Sequence, residues 1–218
     1  MNELFTLIHI GKSGGTTVKG ELKRHNIKFK ECHVSKPIYN PHEKYLIVLR
    51  NPIQRFISAF NWRYFLLFDR KTQQERFLGE KELLEKYKSV DELATEMRKT
   101  KKLNKFKKIF NGSPKNKNYI HHLKEDIHYY LNNIIYKCSP EQIIGIITTE
   151  TLHSDMKKLF NIDVKYHSMS NPTYNTKKKI TNETYNTLRE YLHKDYEIIK
   201  YMYKNKFIDK EKFKILYA

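Results

Sequence analysis

A short apolar run cut off by paired glycines constrains this chain more than any other feature. Residues 4–10 read L-F-T-L-I-H-I and residues 11–17 read G-K-S-G-G-T-T. The first stretch has the length and composition of a buried strand. Gly11, Gly14 and Gly15 do not extend it and mark a tight loop. Residues 16–25 then take helical spacing, with Val18 and Leu22 four apart on one face. The chain therefore opens as strand, glycine loop, helix. His9 ends the strand and is expected to pack beside the loop.

The pattern recurs. Residues 45–49 (Y-L-I-V-L) form a second buried strand with Arg50 at its carboxyl end. Asn51 is a good N-cap and Pro52 suits the first helical position. Ile53, Phe56, Ile57, Phe60 and Tyr64 follow at helical spacing. Residues 143–148 (I-I-G-I-I-T) give a third strand, with a helix-compatible stretch over 150–160. Residues 181–207 predict one long amphipathic helix, with Leu188, Leu192, Ile199 and Met202 on one side. Residues 69–118 break the pattern and are expected to be an insertion. Within it, 80–98 predicts a helix, and the lysine-rich 99–117 carries the loop signal Asn111-Gly112-Ser113-Pro114. Residues 119–135 return to helical spacing, and 167–179 are a polar loop.

Strands alternating with helices predict an α/β chain, a single P-loop-like domain over 1–218. Its central, mainly parallel sheet is flanked by helices and carries a helical insertion in the middle. Ligands of such sheets bind beyond the carboxyl ends of the strands. The glycine loop and Arg50 both fall at that edge.

Composition narrows the classes. A length of 218 residues fits one domain with a real core, and 39% hydrophobic with 13% aromatic residues excludes global disorder. No window reaches the ~18 apolar residues of a membrane span. The first apolar run is too short for a signal peptide and has no basic region before it. The expectation is a cytoplasmic chain beginning at Met1. Cys32 and Cys138 alone make neither a disulfide framework nor a four-thiolate zinc site. The formal charge of +18 favours anionic partners, whether nucleic acid, acidic glycan or nucleotide phosphate. Part of it reflects a bias to Lys, Asn, Ile and Tyr of the kind an A/T-rich genome produces, so placed residues carry more weight than the total.

The loop has the makings of a phosphate cradle. Small residues let backbone N–H groups approach an anion, the helix N-terminus adds its positive end, and Lys12 adds a full charge. Thr16 and Thr17 add hydroxyl donors. It is not a Walker A motif, because Lys12 precedes the glycine pair instead of following it. The plain alternative is a glycine turn with an exposed lysine; the strand and helix on either side favour the cradle. The second placed group, R-N-P-I-Q-R-F-I-S-A-F at 50–60, has Arg50 at a strand end, where a guanidinium can bind phosphate bidentately. Arg55 and Ser58 share a helix face three residues apart. Taken alone, this segment reads as a capped helix with ordinary surface arginines.

Together, H-I-G-K-S-G-G-T-T and V-L-R-N-P-I-Q-R-F-I-S-A-F resemble the sulfotransferases that use 3′-phosphoadenosine 5′-phosphosulfate (PAPS). The carbohydrate branch, with the heparan sulfate uronosyl 2-O-sulfotransferases, is the most similar. The resemblance implies that Lys12, Ser13, Gly14, Gly15, Thr16 and Thr17 hold the 5′-phosphosulfate. It implies that Arg50 and Ser58 hold the 3′-phosphate. Gly11 stands where the family has proline, and Asn51 where aspartate is commoner. The likeness is close over residues 1–58 and looser over 142–207, where I-I-G-I-I-T-T-E resembles a third core strand ending in glutamate. There H-S-M-S-N-P-T-Y-N at 167–175 occupies the place of a nucleotide-contacting loop.

The resemblance also implies a base. C-H-V-S at 32–35 lies between the two motifs, as does the G-H-V segment whose histidine is the base in the uronosyl 2-O-sulfotransferases. His33 would take the acceptor proton, a task suited to a side chain titrating near neutrality. Lys12 would also stabilise the leaving phosphate oxygen, where charge grows in the transition state. No metal is implied, and the acceptor is expected to be a glycan hydroxyl. A Cys32–His33 nucleophilic dyad is disfavoured, because adjacent residues of an extended segment point to opposite faces. His121 and His122 lack the i, i+4 spacing of helical zinc ligands and are read as structural or acceptor-lining.

Two other readings stand beside this one. A phosphotransferase with an unusual P-loop would need a magnesium-binding carboxylate, for which Glu150 is the obvious candidate. A basic nucleic-acid-binding protein would use Lys99, Lys101, Lys102, Lys105, Lys107 and Lys108 with Phe106 and Phe110. The sulfotransferase resemblance disfavours nucleic acid as a partner.

Overall fold

Five consecutive buried residues make β1 (Phe5–His9), and five more make β3 (Tyr45–Leu49). Strands that read as unbroken apolar runs are those covered on both faces of a parallel sheet. The structure, a computed structural model, describes residues 4–74, 76–99, 119–165 and 179–218. Its sheet is parallel throughout, in the order β2-β1-β3-β4, with β2 at Phe29–Cys32 and β4 at Ile143–Thr148. Ile8 pairs with Cys32 on one side and Ile47 on the other, and Leu49 pairs with Thr148. The expected α/β class and flanked parallel sheet are therefore present. Sequence reading missed β2. As an edge strand it is half-buried, with Lys30 and Glu31 exposed, and lacks the apolar run that marks its neighbours.

The chain divides into two compact units. The first comprises Met1–Pro52, Asp126–Ser170 and Lys194–Ala218 and contains the whole sheet. Phe5, Leu7, Leu46 and Val48 lie on one sheet face, as the two-residue strand period requires. They pack with Val18 and Leu22 of α1 (Gly15–Arg24) and with Leu152 and Met156. At Gly145 a Cβ would lie 2.4 Å from Leu159 Cδ1, so this glycine lets the following helix approach β4 closely.

The second unit comprises Ile53–Glu125 and Asn171–His193. It takes nearly all of α2 (Pro52–Tyr64), which runs on into a π-helical turn at Phe65–Asp69. Residues 80–98 are two helices, α3 (Glu80–Lys86) and α4 (Val90–Lys99), not the single one expected. Tyr87 turns extended, and the Ser89 hydroxyl accepts the Glu92 N–H at 3.1 Å to start the second helix.

Two more helix expectations are corrected. Of residues 119–135, only α5 (Ile127–Leu131) is helical, in the first unit, because Asp126 caps it by accepting the Tyr129 N–H at 2.7 Å. After β4 the chain makes a 3₁₀ turn (Thr149–Thr151) and enters α6 (Leu152–Phe160). The long helix expected over 181–207 is α7 (Asn182–Tyr191) followed by α8 (His193–Lys204). Leu192 leaves helical geometry at the point where the chain passes between units. A last helix, α9 (Lys210–Tyr217), belongs to the first unit. The lysine-rich run from Lys101 onward, its Asn111-Gly112-Ser113-Pro114 signal and the loop at 167–175 lie outside the described residues. No described helix is long and apolar enough to cross a membrane.

Candidate functional site

The loop after β1 is built from conformations that disfavour most side chains. Lys12 sits at φ 68° and Gly14 at φ 83°. Glycine adopts this region without strain, whereas a lysine there costs roughly 1–2 kcal/mol. The Ser13 N–H turns back to the Ile10 carbonyl at 3.3 Å. The Gly14 carbonyl then accepts from both Thr17 and Val18, which starts α1. Thr16 is exposed, Thr17 buried and Lys12 half-buried. Ser13 is wholly buried, and its hydroxyl has no hydrogen-bond partner among the described residues. An orphaned hydroxyl inside a loop that opens a helix fits an anionic oxygen.

His33 follows β2 on the neighbouring strand. Its Nδ1–H donates to the His9 carbonyl at 2.7 Å, a bond that fixes the tautomer, because a carbonyl can only accept. Nε2 is then the nitrogen able to take a proton. The His33 ring lies over the His9 ring with centroids 3.9 Å apart and planes 16° from parallel. His9 Nδ1 donates in turn to Glu31 at 3.1 Å, and Glu31 also accepts from Lys19 at 2.5 Å. Burial, with the electrostatic influence of the neighbouring His33 ring adding to it, pushes the His9 pKa down to about 4 against the pull of Glu31, so near neutral pH the His9–Glu31 contact is a hydrogen bond, not an ion pair. Burial works against the Glu31 charge, but the Lys19 and His9 bonds outweigh it and hold the carboxyl below its usual range. Val34, next to His33, has φ 70°, a strained value for a β-branched residue.

Arg50 follows β3. Its Nη1 donates to the Lys12 carbonyl at 3.4 Å, and its Nε lies 3.9 Å from Glu150. Glu150 also accepts the Asn51 N–H at 3.3 Å. The carboxylate offsets part of the Arg50 charge, so an anion reaching Arg50 competes with Glu150. The Asn51 side-chain amide donates to the Leu216 and Ala218 carbonyls, which ties the end of α9 to this edge.

Lys12, Ser13, Gly14, Gly15, Thr16, Thr17, His33 and Arg50 thus gather at the carboxyl edge of three adjacent strands in the first unit. Ser58 is half-buried on α2 and belongs to the second unit. Arg55, read as a surface arginine, is fully buried and donates to the His122 carbonyl at 3.0 Å. His121 stacks on Phe77 at 4.2 Å, and its ring lies tilted by 41° against that of His122 at 4.1 Å. The Cys32 thiol points to the Ser35 carbonyl at 3.4 Å, and burial raises its pKa, the reverse of an activated nucleophile. Among the described residues no group of three or more His, Cys, Asp or Glu side chains is placed to hold a metal. Sequence reading placed His9 beside the loop but did not pair it with His33, and it missed Glu31 and Lys19; contacts across 12 to 24 residues leave no periodic signal. Comparison with family models, curated proteins and solved structures yields no match.

Proposed function

We propose that the chain is a PAPS-dependent O-sulfotransferase of the cytoplasm acting on a carbohydrate hydroxyl. The observation that carries this reading is the bond from His33 Nδ1 to the His9 carbonyl, which ties a candidate base to the strand that ends in the anion loop. The loop residues Lys12 to Thr17 hold the 5′-phosphosulfate and make the loop P-loop-like, while Arg50 holds the 3′-phosphate. PAPS supplies the sulfonyl group. The acceptor hydroxyl gives its proton to His33 Nε2 as its oxygen bonds to sulfur, and the bond from sulfur to the 5′-phosphate oxygen breaks. The Lys12 ammonium offsets the charge that develops on that leaving oxygen.

Calorimetry with PAP, the desulfonated donor, tests the nucleotide half of the reading. PAP should bind far more tightly than AMP, which lacks the 3′-phosphate, and PAP at ~100 times its dissociation constant should stabilise the fold by roughly 2.7 kcal/mol. Equal affinity for the two nucleotides overturns it. Labelled PAPS with a glycan panel tests the transfer itself.

A further inference from the structure

One side chain touches both halves of the site. The Gly15 backbone, at the first turn of α1, comes so close to His9 that a Cβ there would lie 1.9 Å from Cδ2 and 2.5 Å from Nε2. The face of the same ring carries the His33 imidazole at 3.9 Å. Glu31, itself held by Lys19, fixes the His9 ring in its plane. His9 is 6% exposed, so it has little room to turn. The His9 backbone supplies the carbonyl that takes the His33 Nδ1–H, and its side chain supplies the surface on which that imidazole lies flat.

We propose that His9 is a positioning residue: its ring is the fixed layer between the Gly15 turn and His33, and it keeps His33 in the tautomer with hydrogen on Nδ1 and the lone pair on Nε2. The catalytic consequence rests on the sulfotransferase reading; the geometric assignment does not. A ring stacked on a movable support can turn about its outer torsion, which swings Cδ2 into the place of Nδ1, breaks the bond to the carbonyl and releases the tautomer. One stacked on a locked support cannot. Misplacing a base by about 1 Å can cost on the order of 10²-fold in rate.

The test uses the full chain with ¹⁵N-labelled histidine. In the wild type, His33 should show a protonated Nδ1 and an unprotonated Nε2 at mildly alkaline pH. His9→Ala removes the support but keeps the backbone carbonyl, and should average the two His33 nitrogen signals. His9→Phe restores a flat ring and should restore the wild-type pattern. Gly15→Ala drives the His9 ring aside and should disturb His33 without touching it, which covers the case in which His9→Ala fails to fold. With PAPS and an accepted glycan, His9→Ala should lower kcat by about 10- to 100-fold while PAP affinity holds. Unchanged His33 signals in both His9→Ala and Gly15→Ala overturn the assignment. A fixed His33 tautomer that depends on His9, in a chain that does not turn over PAPS, overturns the functional reading and leaves the positioning role standing.

Discussion

His33 and Lys12 serve the proposed reaction at different moments, so their variants should separate. His33→Ala removes the proton acceptor but no charge proposed to meet the nucleotide; turnover should fall by roughly 10²–10⁴ while PAP binds as before. Lys12→Ala removes a charge that meets the nucleotide before and during transfer, so both binding and turnover should fall. Near-full activity in His33→Ala would put the base elsewhere, with His121 and His122 next to test. A pH prediction belongs to His9. The unfolded chain protonates this imidazole near 6.5, the folded one only near pH 4. Between those values the unfolded state holds more protons, so the contribution is complete above about pH 6.5 and fades as the pH falls toward 4. The full loss is on the order of 3 kcal/mol. Glu31, whose carboxyl is held low in the fold, adds to the loss as the pH falls below its usual range. Urea midpoints at pH 7 and pH 5 should diverge in the wild type and diverge less in His9→Phe, where burial still holds the His128 imidazole low. A wild-type midpoint that is flat across this window contradicts the burial of a neutral imidazole.

Between α2 and α3 the second unit is fastened by an ion pair buried on both sides. The Arg63 side chain is 2% exposed and that of Glu80 1%; they meet through Nε–Oε1 at 2.9 Å and Nη2–Oε2 at 2.5 Å. Glu80 also accepts the His121 N–H at 2.7 Å. Glu80→Ala strands a guanidinium away from water and should cost about 3–5 kcal/mol in denaturant unfolding. Replacing both partners with Met should recover most of that loss; a double variant as weak as the single one would show that the His121 contact carries the cost instead. These elements also show what was legible in advance. β1, β3 and β4 are legible because each is an apolar run, buried throughout in β1 and β3 and over Ile146–Thr148 in β4. The division of 181–207 was not, since Leu188, Leu192, Ile199 and Met202 keep helical spacing straight through the break at Leu192. The loop, Arg50 and His33 were legible as motifs, whereas the His9 layer is a contact between strands that only the register of β1 with β2 creates.

At the scale of the whole molecule the formal charge is +18. Lys101, Lys102, Lys107 and Lys108 contribute to it, and none belongs to either phosphate motif. Changing all four to Ser should leave PAP affinity within a small factor, whether the run serves acceptor binding or solubility alone. A large loss of PAP affinity in that variant would mean the run folds over the nucleotide. The sheet has a consequence in time as well as in space. β3 is a central strand, yet its partner β4 lies about 100 residues later in the chain. At ~5–20 residues per second, a ribosome takes ~5–20 s to deliver it. Through that interval the nascent chain carries β3 with one edge open and five apolar side chains short of their final cover. Synthesis speed across residues 50–142 therefore sets how long that edge waits for its partner.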